Sequence, residues 1–517
     1  MEFREKTKIM LGNEAIARGL YEAGVEFASA YPGTPSTEIN QELAKYDGIY
    51  CEWSSNEKVA LESALGASIV GRRSVAIMKH VGLNVACDPL FASAYSGING
   101  GMIVIVADDP GIYSSQNEQD TRRLGRAAGI PVVEPSSCEE AKEMIKKAYD
   151  MSEKYQIPVI FRTTMRLSHS RGIVTVGCRQ NRAVKKYVKN EKRFVLLPEY
   201  SRNLHVELKE KQKRIATEKW DFFENIIEPK NERGFVTSGI AYQYVKEVFP
   251  DIPILKVNMP YPLNMKNIIK FSEIVEKIYV FEELEPVIEE QIQSFGISCY
   301  GKKIFNNYGE YSVQMLRDKI ENVKTEDKSS RYDLPIRRPA LCEGCSHKNV
   351  YNVLKKMNLH VVGDIGCYTL GALEPFKCLD TCLCMGASIS MLHGILSVQE
   401  SKSWIAVIGD GTFWHTGINS LINMVYNCSK GTVLIMNNFN IAMTGHQGHP
   451  GTGKRIISGR KGKNAISLKS VCAVIGVEHV REVDATDEIE LEKIIKSELE
   501  FDGISVIIVN EICTRGK

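Results

Sequence analysis

The sequence predicts an α/β protein built on parallel sheets, and three observations carry that reading. Residues 405–440 (IAVIGDGTFWHTGINSLINMVYNCSKGTVLIMNNFN) run strand, glycine turn, helix, strand. An apolar run over 405–408 enters Gly409-Asp410-Gly411. Ile418, Leu421, Ile422 and Val425 then recur at helical spacing, and a second apolar run over 432–436 ends in Asn437-Asn438. That order is a parallel βαβ unit. The same alternation returns in residues 25–80 and again in 234–300. Finally, 517 residues exceed what a single core accommodates, so two to four domains are expected. Charge and composition divide the chain at 1–190, 191–233, 234–325 and 335–517.

Bulk properties exclude several function classes. Apolar residues make up 44% and charged residues 25%, with a net charge of +2, which gives no broad electrostatic case for nucleic acid or a membrane surface. No apolar run approaches the ~20 residues that span a bilayer. The opening MEFREKTKIMLGNEA is charged and lacks a signal-peptide core, so cytoplasm is the default location. Fourteen loosely spaced cysteines suit thiols or metal ligands better than a disulfide framework, and nine of them lie after residue 340.

Taken in order, residues 8–24 read as a helix with Ile16, Gly19, Leu20 and Ala23 on one face and Gly24 as its stop. VEFASAYPGTPSTEI is a short strand that breaks at Tyr31-Pro32-Gly33-Thr34-Pro35, with Ser36 or Thr37 capping the next helix. The break is either a plain proline turn or a strand end that presents Thr34 to a cleft. In EWSSNEKVALESALGASIV, Ser54, Ser55 and Asn56 are cap candidates, and Ala60, Ala64 and Ala67 form a small-residue stripe. Glu57 falls in the first turn, where an acid complements the helix dipole or serves a site. A strand over 74–79 delivers His80 to a substrate, to the surface or to a position behind the residues that touch substrate. A buried strand over 102–107 leads into DDPGIYSSQNEQDTRRLGR, an active-site loop or a solvated connection, and a strand over 159–162 closes the domain. Residues 183–233 read as a solvated helix or linker rather than a binding patch. Residues 322–334 read as a polar linker.

In the last third, Cys342-x-x-Cys345 is compatible with zinc, an iron–sulfur cluster, a redox pair or chance, and His347 lies close by. GDIGCYTLG places Cys367 in a glycine-flanked turn; Cys378, Cys382 and Cys384 follow, and MGASISMLHGI reads as a helix entry at Gly386. Cys513 sits just past a final strand over 505–509. Asp410 and Asn438 fall at the carboxyl ends of neighbouring strands, where α/β sheets bind ligands. Glycines beside Asp410 let backbone approach a phosphate, the helix amino end favours the anion, and Mg²⁺ needs few protein oxygens beside phosphate. A lone GDG is common turn chemistry; the Asn pair one crossover later is what makes a diphosphate–Mg²⁺ cradle the better reading. His415 could meet a substrate or cap the helix, and AMTGHQGHPGTGK, with Lys454, suits a lid or a plain loop.

The GDG…NN stretch resembles the signature of thiamine diphosphate enzymes, which implies Mg²⁺ on Asp410, Asn438 and the backbone carbonyl of Asn440. The order Glu57, Ala60, Gly66, Ala67 resembles the pyrimidine-binding domain of 2-oxoacid:ferredoxin oxidoreductases. There a glutamate hydrogen-bonds N1′ of the cofactor and promotes loss of its C2 proton, the role that falls on Glu57. The segments LGNEAIARGL, AYPGTPSTEI, NEKVALE, MKHVGLNVA, GDIGCYTLG, CMGASIS and MTGHQGHPGTG together resemble the α subunits of indolepyruvate ferredoxin oxidoreductases along nearly the full length. The resemblance implies a pyrimidine-type and a diphosphate-type parallel-sheet domain, meeting at a cleft across a dimer interface, with a smaller transketolase-C-like α/β domain between them in sequence. It implies a cofactor set of Gly366, Cys367, Gly386, Gly409, Asp410, Gly411, Asn438 and Asn440, substrate contacts from Thr34, His80 and His415, and a [4Fe–4S] cluster on Cys342, Cys345, Cys367 and Cys513. The implied activity is oxidative decarboxylation of aryl 2-oxoacids to acyl-CoA with electrons passed to ferredoxin, in a dimer or α2β2 assembly with a smaller β subunit. Family α subunits ordinarily end in a ferredoxin-like domain with C-x2-C-x2-C-x3-C runs, and no such run occurs here. The expectation is that a separate ferredoxin or partner subunit takes the electrons, that the domain has been removed, or that the enzyme is a non-redox decarboxylase or carboligase. A non-catalytic zinc- or cluster-holding scaffold is the reading from a different class.

Overall fold

The structure is a computed structural model that describes residues 6–182, 184–217, 225–226, 231–321, 339–399, 401–456 and 465–516. The chain divides into two compact units, residues 1–331 and 332–517. Its strands, in chain order, are β1 (Lys6–Leu11), β2 (Phe27–Ala30), β3 (Tyr50–Trp53), β4 (Ser74–Lys79), β5 (Met102–Asp108), β6 (Val132–Val133), β7 (Val159–Thr164), β8 (Arg171–Val176), β9 (Asn225–Ile226), β10 (Asn231–Thr237), β11 (Ile254–Lys256), β12 (Val275–Phe281), β13 (His360–Val362), β14 (Trp404–Gly409), β15 (Gly431–Asn437), β16 (His479–Asp484) and β17 (Ile504–Asn510).

The first unit holds a six-stranded, all-parallel sheet in the order β3-β2-β4-β5-β7-β6. All seven residues of β5 are buried, as expected of a Val/Ile-rich strand covered on both faces. From β2 the chain turns to one side, and from β4 to the other. The crevice between their carboxyl ends is therefore the topological switch point of the sheet. A second sheet, β12-β10-β11-β9, is parallel except at β9. It is tied to the edge of the first sheet by main-chain bonds, Val132 N–H to Tyr261 O at 2.8 Å and Glu134 N–H to Asn258 O at 2.8 Å. Fully buried Arg122 bridges Asp120 (2.6 Å) and Glu282 (2.8 Å), and buried Arg162 holds Asp108 (2.6 Å) and Glu134. Burial pushes the Glu283 carboxyl in this network up to about 7.

Some sequence expectations shift here. Lys8 to Leu11 are not helical: β1 pairs antiparallel with β8, matching Ile9 to Ile173, and the helix begins at Gly12. Long-range pairing overrides local periodicity. Gly19 of that helix does meet a neighbour closely, since a Cβ there would stand 2.6 Å from Lys142 O. Ser36 and Thr37 make no side-chain cap; Ser36 Oγ donates to Gly33 O at 2.8 Å and Thr37 Oγ1 accepts from Gly33 N–H at 2.9 Å, closing the proline turn on itself. Asn56 is the helix cap, accepting from Val59 N–H at 2.9 Å. The packed stripe is Ala60, Ala64 and Ser68; Gly66 is exposed with nothing within 4 Å of an added Cβ, and Ala67 is half-buried. The charged stretch contains a 20-residue helix, Pro198–Thr217, that buries only Leu204, Leu208 and Ile215. The polar linker over 322–334 lies outside the described residues.

The second unit holds one all-parallel sheet, β13-β14-β15-β17-β16. The βαβ unit is present, with β14 and β15 in register at Gly409↔Met436. Its helix begins with a short turn at Asp410–Thr412 and a five-residue π-helical stretch, Phe413–Gly417, before Ile418–Tyr426. Of the four apolar positions in the pattern, Leu421 is fully buried and Ile422 is 46% exposed.

Candidate active site

Two sets of side chains collect at sheet edges, one in each unit. In the first unit, Glu57 is 5% exposed and opens the helix Glu57–Ile69. Its carboxylate lies against Gly82, where a Cβ would stand 2.4 Å from Oε1. Thr34 is half-buried in the turn after β2, and its carbonyl oxygen accepts from Ser114 Oγ at 3.3 Å. His80 is 1% exposed and starts the helix His80–Val85; its Nε2 is 3.1 Å from Asn117 O, and buried Nδ1 has no partner among the described residues.

The polar loop after β5 is folded around Asp109, whose carboxylate accepts from the Tyr113 (3.2 Å) and Ser114 (2.8 Å) amides and the Ser115 hydroxyl (2.7 Å). Glu118 in turn accepts from Gly309 N–H at 2.9 Å. Lys79, which periodicity did not single out, lies beneath this loop. Burial lowers its pKa to about 8, partly offset by Asp109 and Glu57. The available signal was a charged residue at the carboxyl end of an otherwise buried strand, MKH after Ser74-Val-Ala-Ile.

In the second unit, Asp410 follows β14 and is 3% exposed. Its Oδ1 accepts from Gly411 N–H at 2.8 Å, and its Oδ2 lies 3.0 Å from His449 Nε2. The glycine-rich loop is thereby anchored on the acid of the GDG turn. Asn438 follows β15, and its Oδ1 is a buried oxygen without a hydrogen-bond partner among the described residues. Buried Asn440 turns its side-chain Nδ2 to His446 Nδ1 at 2.7 Å. Gly366 and Gly409 both face the Tyr368 ring, where Cβ atoms would stand 2.4 and 2.3 Å from the ring carbons. The Tyr368 hydroxyl is 2.7 Å from Ile365 O and 2.9 Å from Thr412 Oγ1. A Cβ on Gly411 would stand 2.9 Å from Ile441 Cγ1.

Gly386, at φ +83°, needs its left-handed backbone, and a side chain there would strike Thr416. Its amide is taken by Asp364 at 2.8 Å, which also accepts from the Ser388 amide at 2.9 Å at the amino end of the helix Ala387–Val398. Burial pushes the Asp364 carboxyl up. This buried acid escaped the sequence reading because GDIG looks like an ordinary turn. His415 is 3% exposed, with Nδ1 3.1 Å from Thr416 Oγ1. Trp414 Nε1 is buried without a partner among the described residues, and a Cβ on Gly451 would stand 2.7 Å from it.

Cys342, Cys345, Cys367 and Cys513 all line one cavity of about 170 Å³, together with His347 and Asn438. Burial, with neighbouring thiols, pushes Cys367 up to about 11 and raises Cys345. Burial lowers His347 to about 4, against the pull of Asp410. Cys378 and Cys382 donate instead to main-chain oxygens of Tyr351 and Asp364, at 3.4 and 3.3 Å. Among the described residues no three His, Cys, Asp or Glu side chains converge on a single ion. A four-iron cluster differs from a lone ion in offering four separate corners, so four thiols around a cavity suit it better than they suit zinc.

Two family models match the chain, one in each unit. A family model described as pyruvate flavodoxin/ferredoxin oxidoreductase, thiamine diphosphate-binding, matches residues 18–215. One described as the C-terminal TPP-binding domain of thiamine pyrophosphate enzymes matches residues 364–509. The indolepyruvate oxidoreductase subunit IorA of Pyrococcus horikoshii is 38% identical over 98% of this chain and 85% of its own length. The subunit of the same name from Thermococcus kodakarensis is 39% identical over the same shares. The solved 2-oxoglutarate:ferredoxin oxidoreductase from Magnetococcus marinus shares the fold, with a TM-score of 0.51 and 17% identity over 62% of this chain and 66% of that one. The chain belongs to the family of indolepyruvate oxidoreductase subunits IorA, with the thiamine diphosphate-binding domains that this family carries.

Proposed function

We propose that this chain is the thiamine diphosphate-binding catalytic subunit of an oxidoreductase that converts aryl 2-oxoacids such as indolepyruvate to acyl-CoA. The balanced reaction takes a 2-oxoacid and CoA to acyl-CoA, CO₂ and one proton, and delivers two electrons to ferredoxin. The observation that carries the reading is the pairing of Asp410 with Asn438 Oδ1, a buried oxygen without a hydrogen-bond partner among the described residues, at the ends of adjacent parallel strands. A hard divalent cation is the kind of group that would give this oxygen its partner.

Bound thiamine diphosphate supplies the nucleophilic carbon and the electron sink on which a 2-oxoacid loses CO₂. The residues of the chain do the rest. Asp410, Asn438 and the Asn440 carbonyl would hold Mg²⁺, while Gly366 and Gly409 make room for the Tyr368 ring, and Gly411 for Ile441, around the GDG turn. Gly386 and Asp364 fix the neighbouring helix end, and His449 holds the glycine-rich loop on Asp410. Glu57, buried against Gly82, shares a proton with N1′ of the aminopyrimidine. The resemblance makes Thr34 and His80 in the first unit, and His415 in the second, the candidate substrate contacts. Cys342, Cys345, Cys367 and Cys513, which line one cavity, would hold a [4Fe–4S] cluster, which would supply one-electron transfer.

A smaller β subunit and a separate ferredoxin complete the assembly, in a dimer or α2β2 arrangement in the cytoplasm. Among the described residues no helix is long and apolar enough to cross a membrane. The test is an anaerobic assay of the complex with indolepyruvate, CoA and an artificial electron acceptor. One acyl-CoA for every two electrons delivered to the acceptor is expected. Aldehyde or acyloin formed without any acceptor overturns the redox assignment in favour of a non-redox lyase.

A further inference from the structure

We propose that Lys79 is the cation that receives the carboxylate of the 2-oxoacid. This rests on the functional reading above and adds a recognition residue to it. Lys79 is the last residue of β4, at the switch-point crevice beside the turn after β2. Its stem lies on Gly33, where a Cβ would come within 3.0 Å of both Cγ and Cδ. Any larger residue at 33 would push the stem away. The ammonium reaches the exposed side and donates to Ser114 O at 3.1 Å, which leaves two of its three N–H groups to offer.

The surrounding charges are Glu57 and Asp109, and Lys79 forms an ion pair with neither among the described residues. The Asp109 carboxylate is already committed to the loop amides and hydroxyls. A half-buried cation without a paired anion still carries a desolvation cost. A substrate that brings its own carboxylate removes that penalty, and a neutral analogue does not. The chemistry then undoes the contact. When the bond between the carboxylate and the 2-oxo carbon breaks, the electron pair and the negative charge stay with the carbon, to be taken up by the electron sink, and the carboxylate departs as neutral CO₂. Lys79 transfers no proton in this step; it is left without its anion, and the crevice loses its hold on the remainder.

The test compares two ligands that cannot decarboxylate, an aryl 2-hydroxypropionate and its amide, by calorimetry on the cofactor-loaded complex. The wild type should bind the acid at least about tenfold more tightly than the amide. Lys79→Met should reduce that ratio to near one with the amide affinity retained, and Lys79→Arg should keep most of it. An equal affinity for acid and amide in the wild type, a ratio preserved in Lys79→Met, or loss of both ligands alike in that variant overturns the proposal. Acceptor reduction by the wild-type complex with the 2-oxoacid is measured alongside. Its absence would overturn the functional reading, which the binding ratio leaves untouched.

Discussion

Gly82→Ala tests whether Glu57 acts from where it sits. A Cβ at position 82 would stand 2.4 Å from Oε1, 2.6 Å from Cγ and 2.8 Å from Cδ of Glu57, well inside the 3.4 Å at which ordinary contact begins. Glu57 is 5% exposed and fixed at its own helix start, so it must yield by about 1 Å, a misplacement of a kind that costs on the order of 10²-fold in rate. Overpacking destabilises by about 1–3 kcal/mol, while replacing a helical glycine by alanine returns about 1 kcal/mol. The fold should therefore survive with a small fall in Tm while kcat falls by about two orders of magnitude. The assay is anaerobic acceptor reduction by the complex at saturating indolepyruvate, with thiamine diphosphate occupancy measured in parallel. Gly66→Ala is the control, since that position is open to solvent, and it should raise Tm without touching activity. A Gly82→Ala complex with full cofactor occupancy and wild-type kcat would refute the placement of Glu57 as the proton-sharing acid.

Other expectations follow from the same geometry. Asn438→Ala removes a buried oxygen that lacks a partner, so the cofactor-free protein should keep or gain stability while Mg²⁺-dependent thiamine diphosphate affinity falls by roughly tenfold or more, read by calorimetry. Cys367→Ser should abolish iron and sulfide content and the visible absorption of a cluster, whereas Cys378→Ala, whose thiol bonds to Tyr351 O, should retain all three. The Glu283 carboxyl has a folded-state pKa raised to about 7, so its stabilising contribution is full below the ordinary carboxylate range and is lost as pH rises through about 7. Glu283→Gln should flatten denaturant stability between pH 5 and 8 by on the order of 1–3 kcal/mol.

Much of the fold was legible because parallel strands buried on both faces announce themselves as apolar runs. The boundaries Ser74–Lys79 and Met102–Asp108 lie within a residue of the runs in the sequence. The β1–β8 ribbon was not legible, since its pairing spans more than the sequence between two distant helices and leaves Ile9 74% exposed. The GDG…NN residues could be read because both fall at strand ends within one crossover. Asp364 and Lys79 could not, and the loop that carries His449 could be read only as a lid or a plain loop, because their neighbours are remote in sequence: the amides of Gly386 and Ser388, the bare Gly33 position and Asp410. Ser36 and Thr37 show the complementary error, in which the residue types suit a cap but the proline turn claims them first.

The loop that supplies Ser114 is fastened at several points to the second sheet region of its unit, through Glu118 to Gly309, Tyr113 to Glu310 and Arg122 to Glu282. Residues 231–321 are thus a mould for this loop, which overhangs Lys79 as a rim. Anyone grafting the specificity of one relative onto another would have to transplant this rim and its mould together, since a foreign mould would present the same loop letters in a different shape.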